Sequence, residues 1–389
     1  MSEDKAIRTG THVITGNDAM IEGAIAGGCT FFAGYPITPQ NEVPEMFSVR
    51  LPEVGGNFIQ MEDEIGSIAA VVGASIAGAK AMTSTSGPGF SLMQEYISQA
   101  AQSEIPIVVG NVQRTGPGSG IVSVPHHGDV MQARYGGNGD YEIIAVAPAS
   151  AQESFDLTVE AFNLAEKWRT PVIILSDAML GHCREKVVIP PANELKKNIV
   201  ERKIGPKKGF KAFTYEENGE LIVPPPLQLG THAFPFWLPT VSHNEFGIPI
   251  MDTVPEGSLK MVKRLCDKII KNEEKITMTE SYYLDDADVA VIAYGLPART
   301  GLRAVREARE QGIKAGLLRL KTVWPFAQTA IEKVAESVKT IVVPEINMGQ
   351  LFIEIDRVAA KKGISAHLVI QISKLHEPHE ILSKIKEVA

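Results

Sequence analysis

Strand-length apolar runs alternate with helix-length stretches along most of this chain, and that alternation limits its fold more than any other feature. Asn17 to Gly27 reads as a helix, and the strand Thr30 to Ala33 leads into the turn Gly34-Tyr35-Pro36. Ile65 to Ala79 is a helix rich in Ala and Gly, followed by a short strand at Ala81 to Ser84. Gly87-Pro88-Gly89 then opens a helix over Ser91 to Ser103, and Ile105 to Gly110 is an apolar strand. Ser150 and Glu153 form a capping-box pattern that starts an amphipathic helix through Lys167, with the strand Pro171 to Leu175 after it. Parallel strands need crossovers of about helix length, so these units predict an α/β fold: a mostly parallel sheet with helices on both faces.

From about residue 190 to 285 the regularity fails. Lysine-rich stretches, Pro224-Pro225-Pro226 and the aromatic loop Phe234-Pro235-Phe236-Trp237 predict a connector lying over other surfaces, interrupted by one helix from Ser258 to Ile276. Alternation resumes at Asp288, with strands at Val289 to Ala293, Lys314 to Leu320, Thr340 to Val343 and His367 to Ile370. The expected organisation is a first domain over 1–190, an extended connector over 191–285 and a smaller α/β domain over 286–389. A chain of 389 residues can bury a separate core in each domain.

Net charge is −8, with acidic and basic residues mixed along the chain, so no basic stripe marks nucleic acid as a partner. Met1-Ser-Glu-Asp-Lys-Ala lacks the charged and apolar regions of a signal peptide, and the apolar runs are too short to span a bilayer. A cytoplasmic protein without a membrane partner is expected. Cys29, Cys183 and Cys266 form no Cys-x-x-Cys pair, so they read as buried reduced thiols, not ligands of an iron–sulfur cluster or zinc.

Four segments could carry chemistry. In Gln60-Met61-Glu62-Asp63-Glu64-Ile65-Gly66, acids at a helix start can simply complement its dipole. Glu64, however, precedes a run of small residues suited to close packing, where burial would raise a carboxyl toward acid–base duty. Gly34-Tyr35-Pro36-Ile37-Thr38-Pro39-Gln40 is a rigid turn at the strand edge where open α/β sheets bind ligands, and its prolines could aim the Thr38 hydroxyl. Arg114 follows a buried strand and opens a glycine-rich loop; it could clamp a carboxylate or form a surface ion pair. Thr83-Ser84-Thr85-Ser86-Gly87-Pro88-Gly89 is a polar strand-to-helix turn without the spacing of a P-loop or dinucleotide fingerprint. His126-His127-Gly128-Asp129 has no third ligand at sensible spacing, so no metal site is expected.

Taken in order, Gly34-Tyr35-Pro36-Ile37-Thr38-Pro39, Glu62-Asp63-Glu64-Ile65, Thr85 to Met93, Val112-Gln113-Arg114 and Val343 to Gln350 resemble the alpha subunits of 2-oxoacid:ferredoxin oxidoreductases. The resemblance implies a pyrimidine-binding domain of thiamine-diphosphate enzymes followed by one like the transketolase C-terminal domain. It places Glu64 at N1′ of the aminopyrimidine; Pro36, Ile37, Gly87 and Pro88, in the turns beside it, are expected to bind the cofactor as well. It places Thr38 and Arg114 on the carboxylate and keto group of the 2-oxoacid. His126 and His127, following the Arg114 loop, could meet a distal carboxylate or stand as surface histidines. The implied reaction is oxidative decarboxylation with coenzyme A, electrons passing to ferredoxin.

The Gly-Asp-Gly…Asn motif that holds Mg²⁺ and diphosphate in this enzyme class is missing; Asn138-Gly139-Asp140 only echoes it. A beta subunit would supply that half of the site, and gamma, delta or ferredoxin-like subunits the [4Fe-4S] clusters, leaving this chain inactive alone. The loop after Arg114 reads Thr-Gly-Pro-Gly-Ser-Gly where Arg-Gly-Gly-Pro is commoner. The favoured substrate is 2-oxoglutarate, with branched-chain 2-oxoacids as the alternative. A non-catalytic scaffold and a transketolase-like enzyme without ferredoxin coupling are the rivals from other classes.

Overall fold

The computed structural model describes residues 7–205, 211–214, 216–217, 220–230, 239–250 and 255–389. The segment Met1-Ser-Glu-Asp-Lys-Ala and the aromatic loop Phe234-Pro235-Phe236-Trp237 lie outside the described residues. The chain begins β1 (Gly10–Thr15), α1 (Gly16–Ala26), β2 (Phe31–Gly34), α2 (Glu42–Glu53), β3 (Asn57–Gln60), α3 (Glu64–Ile76) and β4 (Ala81–Thr85). It continues through α4 (Pro88–Leu92), α5 (Gln94–Gln102), β5 (Val108–Gln113), α6 (Val130–Tyr135), β6 (Ile144–Val146) and α7 (Ala151–Trp168). Then come β7 (Val172–Asp177), α8 (Ala178–His182), β8 (Arg184–Ile189), α9 (Ala192–Asn198) and a two-residue ladder, β9 (Glu216–Glu217) with β10 (Glu220–Leu221). Next are α10 (Pro255–Ile270), α11 (Glu273–Ile276), β11 (Thr279–Tyr282), β12 (Val289–Tyr294), α12 (Gly295–Glu310), β13 (Ala315–Leu320) and β14 (Thr322–Trp324). The last elements are α13 (Gln328–Ser337), β15 (Thr340–Glu345), α14 (Phe352–Lys361), β16 (Ser365–Ile370) and α15 (Pro378–Val388).

Seven strands form one sheet in the order β14-β6-β7-β5-β4-β2-β3, parallel throughout except for β14 at its edge. Successive strand residues point to opposite faces. Accordingly Phe32, Val108 and Ile174 join one apolar cluster with helix residues such as Met20 and Phe162, while Ala33, Val109 and Ile173 join another with Ile68, Phe90 and Ile97. Helices on both faces follow from that double burial. A second sheet, ordered β11-β13-β12-β15-β16, is parallel apart from β11.

The two sheets do not part at residue 286. Before it, β11 joins the second sheet; after it, β14 crosses to the first and pairs with β6. The physical reason is a shared core, since the cluster containing Phe90 and Ile173 runs on into Leu318, Leu320, Val323 and Val343. The helix expected over Ser91 to Ser103 is two helices that meet at Met93. At α7 only half of the capping box closes: Ser150 Oγ accepts from the Glu153 amide at 3.2 Å, but the Glu153 carboxylate accepts from the Ala149 amide instead, at 2.9 Å. Cys29 is buried and its thiol is pushed up to about 12 by burial, whereas Cys183 is exposed and Cys266 half-buried. The expectation of three buried thiols thus holds for Cys29 alone, because Cys183 sits at the exposed turn between α8 and β8.

A buried ionic cluster pins the connector. Arg264 of α10 donates to both carboxylate oxygens of Glu104 at 2.8 and 2.9 Å, and Lys268 Nζ donates to Glu104 Oε2 at 2.9 Å. Arg169 reaches the carbonyls of Ala212 and Pro224 at 2.5 and 3.0 Å, and Arg264 those of Thr214 and Ile222.

Candidate active site

Strands β5, β4, β2 and β3 are neighbours, so their C-terminal ends bring four segments to one edge: Arg114, Ser86 to Gly89, Gly34 to Gln40 and Glu64. Glu64 is the first residue of α3. Its neighbour Asp63 caps the helix, the side chain accepting from the Gly66 amide at 2.7 Å, and this turns Glu64 inward. Glu64 is 5% exposed. Burial pushes its carboxyl above the usual range, Asp63 adds to that, and the Arg114 guanidinium pulls the other way.

Gly89 makes room for this arrangement. A Cβ there would lie 2.1 Å from Thr85 Oγ1 and 2.3 Å from Glu64 Oε1, so the first turn of α4 closes over both groups only as glycine. Gly87 holds the preceding turn at φ +44°, a conformation that suits glycine, and Pro88 starts the helix. A Cβ on Gly87 would be 3.5 Å from Arg114 Nε.

Arg114 is buried. Its Nη1 donates to the Thr38 carbonyl at 2.6 Å, while its Nε has no partner. Burial lowers its hold on its proton, and Asp129 and Glu64 oppose that shift. The Thr38 side chain does not stand free: its hydroxyl accepts from Asn41 Nδ2 at 3.3 Å. Gln40 braces the turn, donating to the Tyr35 carbonyl at 3.1 Å and accepting from Ser84 Oγ at 2.5 Å, with Ile37 half-buried and Pro36 exposed. The loop after Arg114 is a closed turn in which Thr115 and Ile121 pair; a Cβ at Gly120 would fall 1.4 Å from the Thr115 carbonyl oxygen.

The two histidines part company. His127 is 2% exposed, and its Nε2 bonds Asp177 Oδ2 at 3.0 Å. Its ring tilts against Tyr294 of the second sheet at 5.3 Å, and its carbonyl accepts from Asn347 Nδ2 at 2.8 Å. Those contacts turn it into the seam between the two sheets. His126 is half-buried with Nδ1 unpartnered; burial, and then the neighbouring His127, lower its hold on a proton. Among the described residues no three His, Cys, Asp or Glu side chains group as a metal site, and no helix is long and apolar enough to cross a membrane.

Thr85, Gly89, Asp129 and the turn Glu345 to Gln350 were not singled out one by one as site residues. Asn111 Nδ2 donates to Asp129 at 2.9 Å, and Gln350 Nε2 donates to the Gly128 carbonyl at 2.6 Å, so both sheets hold the segment that follows the loop. The alternation of Thr83, Ser84 and Thr85 in a strand was the available signal, since a polar run in a buried strand needs polar partners. A thiamine pyrimidine needs a buried acid at its ring nitrogen and polar atoms left free nearby. Glu64 fits the first need, and the unpartnered Ser86 hydroxyl and Arg114 Nε fit the second.

Residues 22–263 match the family model described as pyruvate flavodoxin/ferredoxin oxidoreductase, thiamine diphosphate-binding, and 287–378 match pyruvate:ferredoxin oxidoreductase core domain II. The chain is 46% identical to 2-oxoglutarate synthase subunit KorA of Methanothermobacter marburgensis, over 97% of this chain and 99% of that one. It is 35% identical to ketoisovalerate oxidoreductase subunit VorB of Methanothermobacter thermautotrophicus, over 97% and 98%. Among solved structures it resembles the 2-oxoglutarate:ferredoxin oxidoreductase of Magnetococcus marinus with 2-oxoglutarate, coenzyme A and succinyl-CoA bound. The TM-score there is 0.89 at 32% identity, over 97% of this chain but only 65% of that one. A split-gene transketolase shares the fold alone, at 12% identity and a TM-score of 0.57. The alternating units, the acid behind Gly89 and these matches agree, and the chain belongs to the pyruvate flavodoxin/ferredoxin oxidoreductase family.

Proposed function

We propose that this chain is the pyrimidine-binding subunit of a cytoplasmic, multi-subunit 2-oxoglutarate:ferredoxin oxidoreductase that forms succinyl-CoA, CO2 and reduced ferredoxin. The observation that carries the reading is Glu64, a buried carboxyl pushed up at the C-terminal edge of a parallel sheet. Thiamine diphosphate, when bound, supplies the electron sink for decarboxylation. Glu64 would hold a proton against the pyrimidine ring nitrogen, with Pro36, Ile37, Gly87 and Pro88 lining the same cleft. Arg114, backed by the Thr38 carbonyl, would orient the 2-oxoacid carboxylate with its free Nε. Thr38 would contribute its hydroxyl once Asn41 yields. Both histidines leave Nδ1 unpartnered, but His127 is buried with its Nε2 on Asp177, so the half-buried His126 is the one that would meet a distal carboxylate. Mg²⁺, the diphosphate site and the [4Fe-4S] clusters would come from partner subunits, because the Gly-Asp-Gly…Asn motif and Cys-x-x-Cys pairs are absent from the sequence. The choice of 2-oxoglutarate rests on relatives of that name at 40–46% identity, against 35–36% for the ketoisovalerate enzymes.

The test is an anaerobic assay of the assembled complex with coenzyme A and a viologen dye. 2-Oxoglutarate should be the best substrate, and Glu64→Gln should lower turnover by roughly 10²-fold or more without preventing assembly. Faster turnover of a branched-chain 2-oxoacid would overturn the substrate, and an active Glu64→Gln enzyme would overturn the role of Glu64. Calorimetry on the single chain should find little thiamine diphosphate binding until the partner is added.

A further inference from the structure

We propose that Thr85 is a positioning residue for Glu64: its hydroxyl donates to one carboxylate oxygen and leaves the other turned toward the ligand cleft. This inference rests on the reading of Glu64 given above. Thr85 is the last residue of β4, fully buried, and its Oγ1 has no other hydrogen-bond partner among the described residues. Ser84, which points to the opposite face of the strand, is already paired with Gln40. The single point that a Gly89 Cβ would occupy lies 2.1 Å from Thr85 Oγ1 and 2.3 Å from Glu64 Oε1, so the first turn of α4 crowds these two oxygens together. A buried hydroxyl without a partner is costly, and a buried carboxylate beside it is the acceptor that removes the cost.

The charged groups facing Glu64 are Asp63 on its own helix and Arg114 at the end of β5, with Asp129 behind Arg114. Burial raises the Glu64 carboxyl, and the Thr85 hydroxyl acts in the lowering direction. Removing that donor therefore lets Glu64 keep its proton to a higher pH.

Infrared titration of the purified full chain, with the Glu64 band assigned by difference against Glu64→Gln, reads this without any cofactor. Thr85→Val should raise the Glu64 midpoint by about one pH unit, the shift that corresponds to one lost hydrogen bond. Thr85→Ser should restore the wild-type midpoint. In the assembled enzyme the kcat/KM limb assigned to Glu64 should move the same way. An unchanged midpoint in Thr85→Val, or a midpoint that Thr85→Ser fails to restore, overturns the proposal. If Glu64→Gln keeps its turnover, the catalytic reading of Glu64 fails instead, while the infrared comparison still decides the Thr85 pairing.

Discussion

Glu104 and Glu64 are both buried glutamates, 1% and 5% exposed, yet they are pushed in opposite directions. Burial alone would raise Glu104, but Arg264, Lys268 and Arg169 together hold its carboxyl well below the usual range. At Glu64 burial prevails, because Arg114 turns Nη1 to the Thr38 carbonyl and, among the described residues, forms no ion pair with it, pulling on it only at a distance. Around Glu104 no buried side-chain nitrogen or oxygen of the cluster lacks a partner, whereas around Glu64 the Ser86 hydroxyl and Arg114 Nε do. One region is complete in itself. The other is left short of partners, which is how a site differs from a staple of equal burial.

Glu104→Gln tests the complete side of that contrast and should have the largest effect. It strands Arg264 and Lys268 in the interior, and removing one member of a buried ion pair costs about 3–5 kcal/mol by denaturant titration. Because the folded Glu104 carboxyl is depressed below its ordinary 4.5, its contribution is full above that pH and drains away as the pH falls further. The gap between wild type and variant should therefore narrow in acid; a constant gap would mean that the charge is not what holds the cluster.

Gly89→Ala tests the incomplete side. The Cβ would displace the Glu64 carboxylate end, which can swing, and would press on Thr85 Oγ1 of the buried strand β4, so the fold should survive at some cost while the acid moves. Turnover of the assembled enzyme should fall by roughly 10²-fold, the scale of an ångström-size misplacement, with a modest drop in thermal midpoint from the pressure on Thr85. A large loss of stability with normal turnover per folded molecule would erase the contrast. Arg114→Lys should do less, raising KM for the 2-oxoacid about tenfold as the guanidinium fork is lost, with thiamine diphosphate affinity nearly unchanged.

Much of the edge that carries the site could be read from residue order alone. Local signals placed Glu64 at a helix start, Arg114 after a buried strand and Gly87-Pro88 at a tight turn, and each depends only on near neighbours. What escaped reading depends on distant ones. Residues 42 to 60 form α2 and β3 although two prolines fall in the helix: Pro44 sits in its first turn, where proline is tolerated, and burial of Phe47 and Leu51 carries the helix on to Pro52 in its last turn. The pairing of β1 with β8 joins two ends of the first domain that no local pattern connects. Glu104, Arg169, Arg264 and Lys268 look like surface charges in sequence, and only the fold closes them into one cluster. His127 carried the same ambiguity, and its partners Asp177, Tyr294 and Asn347 lie far along the chain.

The crossing of β14 has a consequence for how the molecule is made. Val146 of β6 pairs with Ile174 of β7 on its inner side, but on its outer side its partner is Thr322, so during synthesis that edge stays unpaired until the ribosome has released the later strand. At cellular rates the interval is on the order of ten to thirty seconds. An unpaired strand edge recruits whatever extended chain is nearby, including the nascent chain of a neighbouring ribosome. Fragments that contain β6 and β7 but end before residue 322 keep that edge for good, and they should aggregate where the full chain does not.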